Sequence, residues 1–381
     1  MSPWRILCVF GTRPDAIKMA PVVRALKAAA DFEGRVAVTA QHREILDQVL
    51  EHFSILPDHD LDVMRARQSL TDIAVNALPG LEQVYRRERP DMVLVQGDTA
   101  TTFLGALSAF WCKIPVGHVE AGLRTGHRYL PFPEEMNRRL TTTLASLHFA
   151  PTRTARNHLV REGVDPHSIV VTGNTAVDAL RWTVREGPPL EGRYEARLDP
   201  KRPLVLVEAH RRENWGPPMD QIFTAVARLA HVVPTASIWV SVHPNPEVSE
   251  PARRILTGVP GVELLTPPDY GQWARLLHRA ALLVTDSGGA QEEAPSLGVP
   301  VLLLRESTER PEAIEAGVVT LVGVDPEAIV SNAERILGLG VDGRPHPESN
   351  PFGDGRAAER ILQAIRHFFD PSIPAPEPLV R

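Results

Sequence analysis

The stretch ALLVTDSGGAQEEAPSLGVPVLLL, residues 281–304, decides the fold. An apolar run ends in Thr-Asp-Ser-Gly-Gly, a helix start follows, and a second apolar run begins after Gly298 and Pro300. That order of signals is one strand–helix–strand unit. Neither apolar run alternates, as expected of strands covered by helices on both faces of a parallel sheet. The same signature extends backward through PLVLVEA (203–209), SIWVSV (237–242) and VELLTP (262–267), each ending in a polar or turn-rich loop. The first half carries an independent set: RILCVF, RVAVTA, MVLVQ and PVGHV, separated by helical patterns such as PDAIKMAPVVRALKAAA, EILDQVLEHF and TTFLGALSAFWC.

Two sets of parallel βα units in 381 residues predict an α/β chain of two Rossmann-like, doubly wound domains. The Pro-, Gly- and Arg-containing stretch from Glu186 to Pro203 is the expected linker. It places the domains at 1–185 and 186–356, with a Pro-rich tail at 370–381 that is expected to be poorly ordered.

A formal charge of −6 gives no electrostatic case for nucleic acid or an anionic membrane, so any anion site must be local. The apolar run near the N-terminus is too short for a signal peptide and no stretch reaches membrane-spanning length, so a soluble cytoplasmic protein is expected. Cys8 and Cys112 lie in apolar surroundings without metal-ligand spacing; they read as buried thiols, and no metal is expected.

Ligands of such sheets bind beyond the carboxyl ends of the strands, where two facing domains would line one cleft. The loop FGTRPDAIKMAP after the first strand offers backbone N–H groups, a helix start, Arg13 and Lys18 to a diphosphate. It suits an ordinary helix start with solvated cations equally well. Gly11 stands alone, so neither a dinucleotide fingerprint nor a Walker loop is present, and no nicotinamide cofactor is expected. Ser287, Gly288 and Gly289 repeat the phosphate-loop logic. Glu292 and Glu293 follow at once; one could take ribose hydroxyls, or both could simply favour the helix N-terminus. Asp98, Glu120 and Glu134 sit at or just beyond first-half strand ends, which points to acid/base work. His210, beside Arg211 and Arg212, and His243 follow second-half strands; His243 reads as structural, His210 as the stronger functional candidate.

Taken together, FGTRPDAIKMAP, TAQHREILDQVL, QGDT, PVGHVEAGLRTG, PEEMNR, TGNTAVDAL, HRREN, HPNP, TDSGGAQEEAPSLGVPVLLLR, TERPEA and PFGDGRA resemble the non-hydrolysing bacterial UDP-N-acetylglucosamine 2-epimerases, in order along nearly the whole chain. The resemblance implies the GT-B arrangement of two Rossmann-like domains with an interdomain cleft, and a C-terminal helix at about 357–369 packing back on the first domain. It implies interconversion of UDP-GlcNAc and UDP-ManNAc through a bound 2-acetamidoglucal, feeding cell-surface polysaccharide. By matching motif, Asp98, Glu120, Glu134 and His210 would be the acid/base groups. Arg13, Lys18 and the Ser287-Gly288-Gly289 loop would meet the diphosphate, Glu293 the ribose, and Tyr270 with Trp273 the uracil, with Arg310 a further substrate-binding residue. Gln41, His42, Arg67, Arg211 and His243 match part of a second UDP-GlcNAc site that activates relatives, and a homodimer is implied. Glu208-Ala209 departs from the usual Thr-Gly before HRREN, Ser241 replaces a proline, and Glu306-Ser307 stands for Asp-Thr. A hydrolysing epimerase, a glycosyltransferase needing an acceptor and a non-catalytic sugar-nucleotide sensor remain as alternatives.

Overall fold

The computed structural model describes residues 2–39, 43–63, 68–340 and 344–380, the side chains of 43–45 excepted. Its contacts divide the chain into two units, Met1–Ala179 with Phe352–Arg381, and Leu180–Pro351. The chain thus enters the second unit once and returns once.

The first unit is built on strands β1 (Trp4–Phe10), β2 (Phe32–Val38), β3 (His59–Asp60), β4 (Met92–Gln96), β5 (Val116–Val119), β6 (Leu147–Ala150) and β7 (Ile169–Val171). They form one parallel sheet in the order β3-β2-β1-β4-β5-β6-β7. Every residue of β4 and β5 is buried, which explains why these runs are apolar throughout. The second unit carries β8 (Leu204–Glu208), β9 (Ser237–Ser241), β10 (Val262–Leu265), β11 (Ala280–Thr285), β12 (Val301–Leu303) and β13 (Val319–Leu321). These are also parallel, in the order β10-β9-β8-β11-β12-β13.

In each sheet the winding reverses once, between β1 and β4 and between β8 and β11. The loops after those four strands flank the crevice in which an open α/β sheet takes its ligand. They are Gly11–Asp15 and Gly97–Asp98 in the first unit, Ala209–Arg211 and Asp286–Gly289 in the second.

Local signals fix the helices beside these loops. The Thr12 hydroxyl caps the helix Arg13–Ala28 by accepting the Asp15 N–H, and the Asp15 carboxylate accepts the Thr12 N–H in return. The C-terminal helix Ala357–Phe369 belongs to the first unit: Arg366 pairs with Asp31 at 2.6 Å, and Phe369 stacks on Trp4 with ring centroids 5.5 Å apart. The segment 186–203 lies within the second unit, where Tyr194 is buried and faces Trp239.

Two expectations are corrected. The Pro-rich tail is laid down rather than loose: Leu379 is buried and its N–H donates to the Val171 carbonyl at 2.8 Å, while Gln363 and Arg360 reach the carbonyls of Pro374 and Glu377. Carbonyls left bare by successive prolines are available acceptors, and helix side chains take them. Cys8 is buried as read, but Cys112 is only partly so; both are free thiols. Among the described residues no helix is long and apolar enough to cross a membrane.

Candidate active site

In the first unit, Glu120 follows β5 with a backbone φ of 63°, the left-handed region that a non-glycine residue enters only when its surroundings demand it. Its carboxylate is the hub of the site. Oε2 accepts from Lys18 Nζ at 2.5 Å and from Asn174 Nδ2 at 2.7 Å, and Oε1 accepts from Gln96 Nε2 at 3.2 Å. Gln96 and Asn174 are buried, so the two amides hold direction while Lys18 supplies charge.

Asp98, just past the neighbouring strand β4, pairs with Arg138, and its carbonyl accepts from Asn137 Nδ2 at 2.9 Å. Arg138 also pairs with Glu135 at 3.1 Å. Glu135 is fully buried and accepts the Thr125 N–H, so it braces the loop between β5 and the helix Glu134–Leu144. Glu134 next to it is half-buried, with no hydrogen bond or ion pair among the described residues. The two glutamates of PEEMNRR therefore have opposite fates: one is structural, the other presents a carboxylate without a partner.

Asp15 is buried beneath the first loop, accepting from Thr12 N, Thr99 Oγ1 and Gly11 N. Burial pushes its carboxyl up to about 6 against the pull of the Thr12 hydrogen bonds, and the charge of Asp98 adds to the rise. Arg13 is exposed at the mouth of this loop. Lys18, expected at a diphosphate, is placed on Glu120. Gly11 serves packing: a Cβ there would fall 2.1 Å from Thr39 Oγ1 and 2.5 Å from Thr101 Oγ1.

The second unit is organised by Asp286, fully buried at the end of β11. Its oxygens accept the N–H groups of His210 and Arg211 and the Asn214 amide at 2.9–3.1 Å, which ties the loop after β8 to the loop after β11. The His210 ring stacks on His243, centroids 5.9 Å apart, and burial followed by the His210 charge holds His243 below its usual range.

The Ser287-Gly288-Gly289 loop lies under two guanidinium groups. A Cβ on Gly288 would fall 3.1 Å from both Arg211 Nη2 and Arg310 Nη1. Buried Glu292 pairs with Arg310 Nε at 2.5 Å, so the first acid after the loop positions an arginine, and Glu293 alone is left half-exposed. Tyr270 and Trp273 share one face at the start of the helix Tyr270–Arg279, Tyr270 buried and Trp273 half-buried. Glu208 closes β8, half-buried. Gln41, His42 and Arg67 lie outside the described residues.

Residues 24–366 match the family described as UDP-N-acetylglucosamine 2-epimerase. The chain belongs to the UDP-N-acetylglucosamine 2-epimerase family. It is 50% identical over 380 residues to the UDP-N-acetylglucosamine 2-epimerase of Salmonella typhimurium, covering 96% of this chain and 99% of that one. The crystal structure of the Neisseria meningitidis UDP-GlcNAc 2-epimerase bound to UDP-GlcNAc is 41% identical, with a TM-score of 0.83 over 95% of this chain and 99% of that one. The Methanocaldococcus jannaschii UDP-GlcNAc 2-epimerase, solved with UDP-GlcNAc and UDP, is 32% identical with a TM-score of 0.76, again over 95% and 99%.

The fold of this epimerase-family chain is the two-domain Rossmann-like GT-B type. Sequence reasoning missed three of the groups that organise its two half-sites: Asp286, Asn174 and Gln96. Each lies inside a quoted motif, TDSGGAQEEAPSLGVPVLLLR, TGNTAVDAL or QGDT, yet its partners are distant in the chain: 76 residues separate Asp286 from His210, and 54 separate Asn174 from Glu120.

Proposed function

We propose that this chain interconverts UDP-GlcNAc and UDP-ManNAc by eliminating UDP to a bound 2-acetamidoglucal and adding it back, without net hydrolysis. C2 of the sugar has no neighbouring carbonyl, so its proton cannot leave as in an enolisation. Either C3 is oxidised first or the C1–O bond breaks. The lone Gly11 gives no dinucleotide loop for oxidation, whereas the loops after β4, β5, β8 and β11 supply what elimination needs.

The observation that carries this reading is the pair of carboxylates, Asp98 and Glu120, at the ends of adjacent strands β4 and β5. Inverting C2 requires a proton to leave one face and another to arrive on the opposite face, so a single acid/base group is insufficient. One carboxylate takes the C2 proton, the C–H electrons form the C1=C2 bond, and the C1–O pair departs with UDP. Reprotonation of C2 on the other face and re-addition of the UDP oxygen to C1 complete the turnover. Glu134 and His210 complete the proposed proton-transfer set.

The departing diphosphate needs cations and N–H groups placed before its charge develops. Arg13, Lys18, Arg310 and the Ser287-Gly288-Gly289 loop are proposed for that task, Glu293 for the ribose hydroxyls, and Tyr270 with Trp273 for uracil. Gln41, His42, Arg67, Arg211 and His243 are proposed to take a second UDP-GlcNAc as activator, in a cytoplasmic homodimer.

The test is positional isotope exchange. UDP-GlcNAc labelled with 18O in the bridge between C1 and the β-phosphorus is incubated with the protein. Migration of label into non-bridging β-phosphate positions, without free ManNAc, is expected for C1–O cleavage and return. Label that stays in the bridge while UDP-ManNAc forms would overturn elimination, and free ManNAc accumulating with UDP would mark hydrolysis.

A further inference from the structure

We infer that Asn174 is a positioning residue that aims the Glu120 carboxylate for proton transfer; this rests on the acid/base role proposed for Glu120. Asn174 follows β7 and precedes the helix Thr175–Glu186, and it is 1% exposed. Its Oδ1 accepts the Ala176 N–H at 3.0 Å, the arrangement of a helix N-cap. With the oxygen committed to the helix, the amide has one orientation, and Nδ2 is the atom left to face Glu120 Oε2 at 2.7 Å.

The backbone beneath it is fixed as well. The Asn174 N–H donates to the carbonyl of Phe352 at 2.6 Å, the first residue after the chain returns from the second unit. At Gly173, φ is +87°, and a Cβ would fall 3.2 Å from Gly353 Cα and 3.3 Å from the Phe352 carbonyl, so this approach of two backbones needs glycine. A side chain with its oxygen capping a helix and its backbone pinned to the returning chain has no freedom left to follow Glu120. Glu120 must follow it.

Lys18 cannot fill this role. An ammonium on a four-carbon stem attracts a carboxylate without fixing its rotation, whereas a rigid amide fixes direction. Gln96, buried on β4, holds the other oxygen. The donors on Glu120 thus come from the helix Arg13–Ala28, β4 and the turn after β7. The other ionisable groups of the loops after β1 and β4 are Arg13, exposed at the mouth of the first loop, Asp15 beneath it, and Asp98, which is held by Arg138.

The test exploits the two ends of the amide. Asn174→Asp keeps the size and an equally good helix cap, but sets a carboxylate against Glu120 in place of a donor. The expected result is a kcat/KM reduced at least roughly tenfold, with its acid limb moved up by about one pH unit because a like charge raises the Glu120 pKa. The Kd for UDP should stay near wild type, while Tm should fall, because the repulsion that raises the Glu120 pKa also destabilises the folded state. Should the added charge unfold the chain, Asn174→Ser, a competent cap too short to reach Glu120, carries the test through a fall in kcat at unchanged UDP affinity. Wild-type kcat/KM and pH profile in Asn174→Asp, or wild-type kcat in a folded Asn174→Ser, would reduce Asn174 to a cap and overturn the inference. Glu120→Gln separates the two levels. An active Glu120→Gln removes the reading of the site itself; an inactive one beside a normal Asn174→Asp removes only the role of Asn174.

Discussion

The His210 N–H donates to both oxygens of Asp286, at 3.1 and 3.0 Å, and His210 Nδ1 stands 3.6 Å from Oδ1. One buried carboxylate thereby holds the loop after β8 to the loop after β11 and gives the His210 ring a neighbour. In Asp286→Asn an amide hydrogen replaces an acceptor that faces N–H groups. The variant should lose about 1–3 kcal/mol of stability, the usual consequence of a buried donor left without its acceptor. kcat should fall with little change in the Kd for UDP. Urea unfolding and steady-state kinetics check this; an unchanged kcat would remove Asp286 from the organisation of the site.

Gly288 has an ordinary backbone conformation, so its lack of a side chain matters for space alone. In Gly288→Ala the new methyl meets Arg211 and Arg310 at 3.1 Å, and both guanidinium groups must shift. The Kd for UDP, measured calorimetrically, should rise about tenfold, the loss expected when one charge-assisted hydrogen bond is misplaced. Tm should barely move. Unchanged affinity would mean that the diphosphate lies elsewhere.

Asp98→Asn, Glu120→Gln and Glu134→Gln should each lower kcat by roughly 10²–10⁴, the range of a general acid/base contribution. UDP affinity should fall far less than kcat, because none of these three carboxylates is among the groups assigned to the nucleotide. A large UDP Kd change with modest kcat loss in any of them would make that residue a binding group.

The titration of Asp178 gives a prediction about stability. It is buried beside the start of the C-terminal helix, where Oδ1 accepts the Ala358 N–H, and burial pushes its carboxyl up to about 7. A carboxyl whose folded pKa is raised from 3.8 holds its proton more tightly in the folded state. Its stabilising effect is complete below that lower value and is lost as pH rises through 7. Asp178→Asn, permanently neutral, should remove this loss. Its Tm relative to wild type should therefore be higher at pH 8 than at pH 5, by scanning calorimetry; an equal offset at both would show that Asp178 does not titrate in this window.

How much of this was legible in the sequence follows from the range of the interactions. MVLVQ and LLVT are buried on both sides, so their composition alone marks β4 and β11. β3, β7 and β13, two or three residues long, are defined by register against a neighbour and carry no periodic signal. Asp98 and Glu120 were visible because each ends an apolar run. The division of labour in PEEMNRR was not, since it depends on Arg138 reaching back to Asp98. Likewise the first glutamate of AQEEAP serves Arg310, a partner 18 residues on that no local pattern announces. Leu379 was read as part of a loose tail because its acceptor, Val171, lies in an edge strand of the first sheet.

The central claim is that the C2 proton is lost to a protein group and returned from solvent while UDP leaves and comes back. Proton NMR of UDP-GlcNAc incubated with the protein in D2O tests it most directly. The account predicts UDP-ManNAc, deuterium at C2 of both epimers, and no accumulating free ManNAc. Epimerisation with protium retained at C2 would contradict proton loss to an exchanging base, and an unchanged spectrum from protein that binds UDP-GlcNAc would contradict epimerase activity altogether.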